Sequence, residues 1–184
     1  DGHPEWFQLV GLIHDIGKIM FLKGCDEDGT SIKKQWGIVG DTFIVGCRIP
    51  ESVVYPEFNK ENPDMKNSKY NTQLGIYKEG CGLDKVYCSW GHDEFLYQIL
   101  KYNQNILPKE ALYIIRYHSL YAYHKENDYK YFMNKKDEKM FNWLKLFNQY
   151  DLYTKTDKKE IDGDILKYYK DLIKKYFIGN NLVF

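Results

Sequence analysis

The chain has 184 residues and balances 26 Lys plus Arg against 26 Asp plus Glu, so no basic surplus marks a phosphate-backbone footprint and nucleic acid is excluded as the expected partner. Four cysteines without a C-x-x-C pair argue against disulfide or zinc staples and for one reduced, cytoplasmic domain over residues 1–184, long enough to bury its own core. No apolar run approaches the ~20 residues that span a bilayer, so a soluble, monomeric protein with a small-molecule partner and no membrane partner is expected.

The chain opens on Asp1-Gly2-His3 without an initiator Met, just ahead of "EWFQLVGLIHDIGKIM", as a piece of a longer protein would. Apolar residues at Phe7, Val10 and Ile13 and at Leu9, Leu12, Ile16, Ile19 and Met20 fit one largely buried helix over 5–20 and fit strand alternation badly. "KGCDEDGTSIKKQ", Lys23 to Gln35, reads as a surface loop, a dispensable insertion that adds nothing to the core.

Trp36 to Gly91 is rich in Gly, Pro and Asn and predicts at most short strands and turns. Irregular stretches this long are usually functional or disordered. Ile38, Val39, Phe43, Ile44, Val45, Val53 and Val54 argue that this one packs.

Three helices are predicted next: "HDEFLYQILKYN" from near His92, "PKEALYIIRYHSLYAYH" with Pro108 in the first turn, and "KDEKMFNWLKLFNQYDLYTK" from about Lys136. A last helix over roughly 164–176 ends before Gly179. The expected fold is an all-α bundle with a long irregular or short-strand segment between its first and second helices.

Within this bundle, helical spacing puts Phe7, Val10 and His14 on one face, Ala111, Ile114, Ile115 and His118 on another, and Met140, Leu144, Phe147 and Asp151 on a third. His92 follows Gly91 at a helix start, where periodicity places it less firmly. A single His on an apolar face is more often a satisfied core residue than a ligand. A buried Asp is harder to dismiss, because an uncompensated carboxylate costs several kcal/mol. Three imidazoles and two carboxylates, His14, Asp15, His92, His118 and Asp151, therefore favour a first-row metal such as iron or manganese, with structural zinc disfavoured by the lack of Cys. Two carboxylates for three imidazoles fit two metals, since a carboxylate bridges and an imidazole does not. Beside His92, Glu94 is expected to support a ligand imidazole and Asp93 to serve the helix start.

"HDIGK" followed by later His and Asp residues on other helices resembles the HD-domain superfamily of metal-dependent phosphohydrolases. "WFQLVGLIHDIGK", "WGIVGDTFIVGC", "NPD", "YNTQLGIYKEGCGLDKVYCSWGHDEFLYQILKYN", "LPKEALYIIRYHSLYAYH" and "FNQYDLYTK", in that order, resemble the myo-inositol oxygenase family across nearly the whole chain. The resemblance implies an HD-like fold and a mixed-valent di-iron centre that uses O2 to cleave myo-inositol between C1 and C6, a four-electron oxidation giving D-glucuronate. It implies His14 as a ligand of the first iron, His92 and His118 as ligands of the second, and Asp15 and Asp151 as bridges.

For the substrate, the resemblance implies Lys18, Gly40, Asp41, His118, Ser119 and Lys155. A polyol carries no charge, so Asp41 and Ser119 suit directional hydrogen bonding, and Lys18 suits a hydroxyl that develops negative charge. Lys155 reads equally well as a cation at a helix carboxyl end. The family also carries one more iron-ligating His ahead of the position of Asp1, which His3 does not match, so the complete site is expected to need residues beyond this sequence.

Two other functions use the same metal ligands. A phosphohydrolase would need further cations converging on the metals, of which Lys18, Arg116 and Lys155 are the few available. A non-catalytic, metal-stabilised interaction domain would have no use for Asp41 or Ser119.

Overall fold

The computed structural model describes residues 2–27, 31, 40–151, 163–179 and 181–183. Helices dominate: α1 (Glu5–Ile13), α2 (Met20–Lys23), α3 (His92–Tyr102), α4 (Lys109–Tyr117), α5 (Tyr121–His124), α6 (Lys135–Asp151) and α7 (Gly163–Tyr176). α3 packs on α4, α4 on α6, and α1 on α4 and α7. Phe7, Leu9, Val10 and Ile13 of α1 meet Leu96, Leu100, Ala111, Ile114, Ile115, Phe147 and Leu172 in one core. The helical spacing that predicts these faces is the spacing that buries them.

The first predicted helix is broken. α1 stops at Ile13, a 3-10 turn covers Ile16–Ile19, and only then does α2 begin. Leu12, Ile16 and Ile19, expected in the core, are 49%, 40% and 37% exposed. The tighter turn rotates the chain away from the α1 face, and Gly17 explains where it goes. A Cβ there would lie 1.9 Å from the carbonyl oxygen of His92, so the turn rests directly on the start of α3.

The long segment after residue 40 packs as its apolar residues predict. β1 (Ile44–Val45) pairs antiparallel with β2 (Tyr87–Cys88), Ile44 opposite Cys88, and the rest winds through short 3-10 turns. Ile44, Leu83 and Val86 enter a second core with Tyr113, Tyr117, Leu120, Tyr123, Tyr129 and Phe132, against which Val53 also packs. Val45 and Val54 are exposed instead. Ile38, Val39 and most of the Lys23–Gln35 loop lie outside the described residues. The Pro108 helix is shorter than its sequence suggests: Pro108 caps it from outside, it ends at Tyr117, and α5 is a separate turn.

Candidate metal centre

Five side chains meet where helices end. His14 is the first residue after α1 and His118 the first after α4. A helix leaves its last carbonyls without intrahelical partners, and the two histidines use them in the same way. His14 Nδ1 donates to Gly11 O at 3.0 Å and His118 Nδ1 donates to Ile115 O at 2.9 Å. With the proton fixed on Nδ1, each Nε2 presents a lone pair inward. His92 enters from the first residue of α3 and Asp151 from the last described residue of α6.

Asp15, opening the 3-10 turn, sits between these groups. Its Oδ1 lies 3.3 Å from His92 Nε2 and 3.6 Å from His118 Nε2. Its Oδ2 lies 3.7 Å from His14 Nε2 and accepts from Lys18 Nζ at 2.6 Å. Asp151 Oδ1 faces His14 Nε2 at 3.1 Å, and His92 Nε2 is 3.1 Å from His118 Nε2. Ser119 Oγ is 3.2 Å from His92 Nε2. Phe147 closes one side, its ring 5.1 Å from that of His14.

This arrangement places acceptors against acceptors. Where they carry no proton, the Nε2 atoms face carboxylate oxygens and one another, a repulsive set that a cation or protons between them relieve. The charges respond accordingly. Burial works to raise the Asp15 carboxyl, yet hydrogen bonds with His118, His92 and Lys18 hold it well below the usual carboxylate range. Burial would lower His14, but the Asp151 hydrogen bond and the Asp15 and Asp151 charges raise it. Asp151 is lowered against the pull of burial by His14 and His118. One ligand atom from each of His14, Asp15 and His118 lies within 4.8 Å of the others, so the donor set fits a metal, and imidazole with carboxylate fits a first-row one.

The remaining expected site residues divide. Lys18 reaches the cluster through Asp15. Asp41 is half-buried, its Oδ2 accepting from Val54 N at 3.3 Å, and burial raises its carboxyl. Gly40 and Asp41 line a cavity of about 630 Å³ whose other walls include Phe43, Ile49, Val53 and Val54. Lys155 lies outside the described residues. His3 is elsewhere, with Nε2 2.7 Å from Tyr150 Oη.

Glu94 does not support an imidazole as expected. It pairs with Arg116, Nε to Oε2 at 2.6 Å, and accepts from Gln98 at 2.5 Å, so the buried ion pair joins α3 to α4 two residues from His92 and from His118. Asp93 does accept the Glu94 N–H at 2.8 Å, but it is fully buried and also receives the Thr42 hydroxyl. His124, absent from the sequence reading, is buried and donates from Nε2 to His118 O at 2.9 Å. Burial lowers it to about 4, so it stays neutral and holds the turn after His118. The signal for it in the sequence is only its spacing of six from His118, which no periodicity singles out.

The family model described as "Myo-inositol oxygenase" matches residues 1–184. The chain is 49% identical over 178 residues to an inositol oxygenase of Dictyostelium discoideum, covering 96% of this chain and 59% of that protein. It is 49% identical over 173 residues to inositol oxygenase 1 of Arabidopsis thaliana, covering 94% of this chain and 54% of the relative. With an inositol oxygenase of Danio rerio the identity is 48% over 180 residues, covering 96% and 62%. The chain thus spans a little over half the length of these relatives.

Proposed function

Because the chain belongs to the myo-inositol oxygenase family, we propose that it carries most of the active site of a di-iron oxygenase that cleaves myo-inositol with O2 to give D-glucuronate. The balance is one inositol and one O2 to one glucuronic acid and one water. The observation that supports it best is Asp15, each of whose oxygens faces a different imidazole group, His14 on one side and His92 with His118 on the other. That is the disposition a bridging carboxylate needs.

In this reading His14, Asp15 and Asp151 would hold the first iron, and His92, His118 and the same two carboxylates would hold the second. The bound iron pair supplies the redox capacity for a four-electron oxidation. The protein's own groups do the rest. Lys18 places its amino group beside the cluster, 2.6 Å from Asp15 Oδ2, where it stabilises negative charge developing on a substrate hydroxyl. Asp41 accepts and Ser119 donates or accepts hydrogen bonds that fix which ring carbons face the metals, with Gly40, His118 and Lys155 completing the polyol contacts.

The phosphohydrolase alternative finds less support. Arg116 is taken up by Glu94, and with Lys101, Lys109 and Lys136 it lines a separate cleft that includes none of the five cluster residues. The deciding experiment loads the full-length protein with iron, counts iron per chain, and follows oxygen uptake on myo-inositol beside phosphate release from nucleotides. Two irons per chain and inositol-dependent oxygen uptake are expected. Phosphate release without oxygen uptake would replace this reading with the alternative.

A further inference from the structure

The residue after Asp41 makes two contacts that its neighbours do not. Thr42 N donates to Ser119 O at 2.9 Å, and Thr42 Oγ1 donates to Asp93 Oδ2 at 2.5 Å. Thr42 is 1% exposed and Asp93 0%, so the hydroxyl meets a carboxylate out of reach of bulk water, where a charge-assisted hydrogen bond is strong and losing it leaves a costly unsatisfied group. Asp93 uses its other oxygen on the Glu94 N–H. Phe43 extends the attachment, its N–H donating to Ser89 Oγ at 3.1 Å and its carbonyl accepting from Ser89 N at 2.8 Å.

We propose that Thr42 is the positioning residue that holds Asp41 in register with Ser119 and with the His92 end of α3. This rests on the polyol site proposed above, in which Asp41 and Ser119 bind the substrate. The backbone of Thr42 is tied to the turn carrying His118 and Ser119, and its side chain to the residue after His92. One residue therefore links the substrate loop to two of the helix ends that carry the metal cluster, those of α3 and α4. Asp93 is the anchor of this link, a larger part than serving a helix start. Thr42 touches neither metal nor polyol. Its loss should loosen the substrate contacts and leave the imidazoles and carboxylates in place, raising KM more than it lowers kcat.

Thr42→Val keeps the side-chain shape and removes the hydroxyl, whereas Thr42→Ser keeps the hydroxyl. In the iron-loaded full-length protein, Thr42→Val is expected to hold the same iron, with KM for myo-inositol up about tenfold and kcat within about threefold, values typical of one lost tenfold-scale interaction. Thr42→Ser should return KM to within about twofold of the parent. Hydrogen exchange at the Thr42 and Glu94 amides should speed up in Thr42→Val and not in Thr42→Ser.

A parent-like KM in Thr42→Val, or equal damage in both variants, would overturn the proposal. If the parent itself consumes no oxygen with myo-inositol, the polyol reading falls, while unchanged exchange in Thr42→Val would separately remove the link. Should Thr42→Val fail to fold, Asp93→Asn replaces the charged acceptor by an amide of the same size. Its KM should rise by a few fold with iron retained, and a parent-like KM would again overturn the proposal.

Discussion

At the scale of single residues, neighbours of the same type carry different tasks, and substitution should separate them. Asp151 and Asp93 are both buried or half-buried carboxylates, but Asp151 faces His14 Nε2 at 3.1 Å while Asp93 faces Thr42 and a backbone N–H. Asp151→Asn should lower iron affinity by more than the ~10–100-fold typical of losing an outer partner of a ligand. Asp93→Asn should leave iron content unchanged, and equal iron loss in the two variants, measured by metal analysis after dialysis, would remove Asp151 from the ligand set. Among the described residues, Lys18 meets the cluster at Asp15 Oδ2. Lys18→Ala should therefore retain iron while kcat falls about 10²–10³-fold, the usual cost of removing one donor from a developing negative charge. Normal turnover in that variant would take Lys18 out of the site. That His14, His118 and Asp151 point into one place was legible because each lies on an apolar helical face, whereas Asp15 was read from its place beside His14. Thr42, Asp93 and His124 were not, since their task is set by residues 51 and 6 positions away, a separation no local pattern encodes.

At the scale of elements, the break in the first helix matters most. Apolar residues continue through Ile16 and Ile19 with helical spacing, so periodicity alone extends the helix to Met20. The 3-10 turn that replaces it depends on a contact made in three dimensions, the seating of Gly17 on the His92 carbonyl. Mid-helix tightening of this kind often marks a functional position, and here it aims Asp15 across the cluster. The helix ends at Ile13 and Tyr117 are likewise invisible to periodicity but follow from the histidines that cap the carbonyls of Gly11 and Ile115. The same geometry makes Gly17→Ala a severe test. Its Cβ would stand 1.9 Å from backbone oxygen and 2.7 Å from backbone carbon, so the turn and α3 must separate. Overpacking of this sort costs about 1–3 kcal/mol, or about 2–12 °C in Tm at this chain length. Iron content should fall with it, because Asp15 Oδ1 and His92 Nε2, now 3.3 Å apart, would no longer share a ligand position. A Tm and iron content equal to the parent's would show that the contact is dispensable.

At the scale of the whole molecule, the cluster works as a fastening between elements that pack through apolar faces and, for α3 and α4, through the Glu94–Arg116 ion pair as well. α1, the 3-10 turn, α3, α4 and α6 each send one polar group into it, and no helix among the described residues is long and apolar enough to cross a membrane. The helix faces that form the two cores were readable in advance because burial follows periodicity. The irregular segment after residue 40 was readable only as packed, since β1, β2 and the turns between them are held by contacts with residues near 77, 89 and 129. Without a cation the inward-facing Nε2 atoms and carboxylates must be neutralised by protons, and the acceptors oppose one another. A metal that binds the folded chain and not the unfolded one stabilises it by mass action, about 2.7 kcal/mol at a hundred times Kd. For a chain of this length that corresponds to about 5–11 °C in Tm. Chelation of the iron-loaded protein should lower Tm by this amount, restoring iron should recover it, and Asp151→Asn should show a much smaller difference between its loaded and chelated forms. Calorimetry with and without chelator measures both. A Tm indifferent to iron in the parent would mean that the apolar cores alone hold these helix ends together and that the cluster does not fasten them.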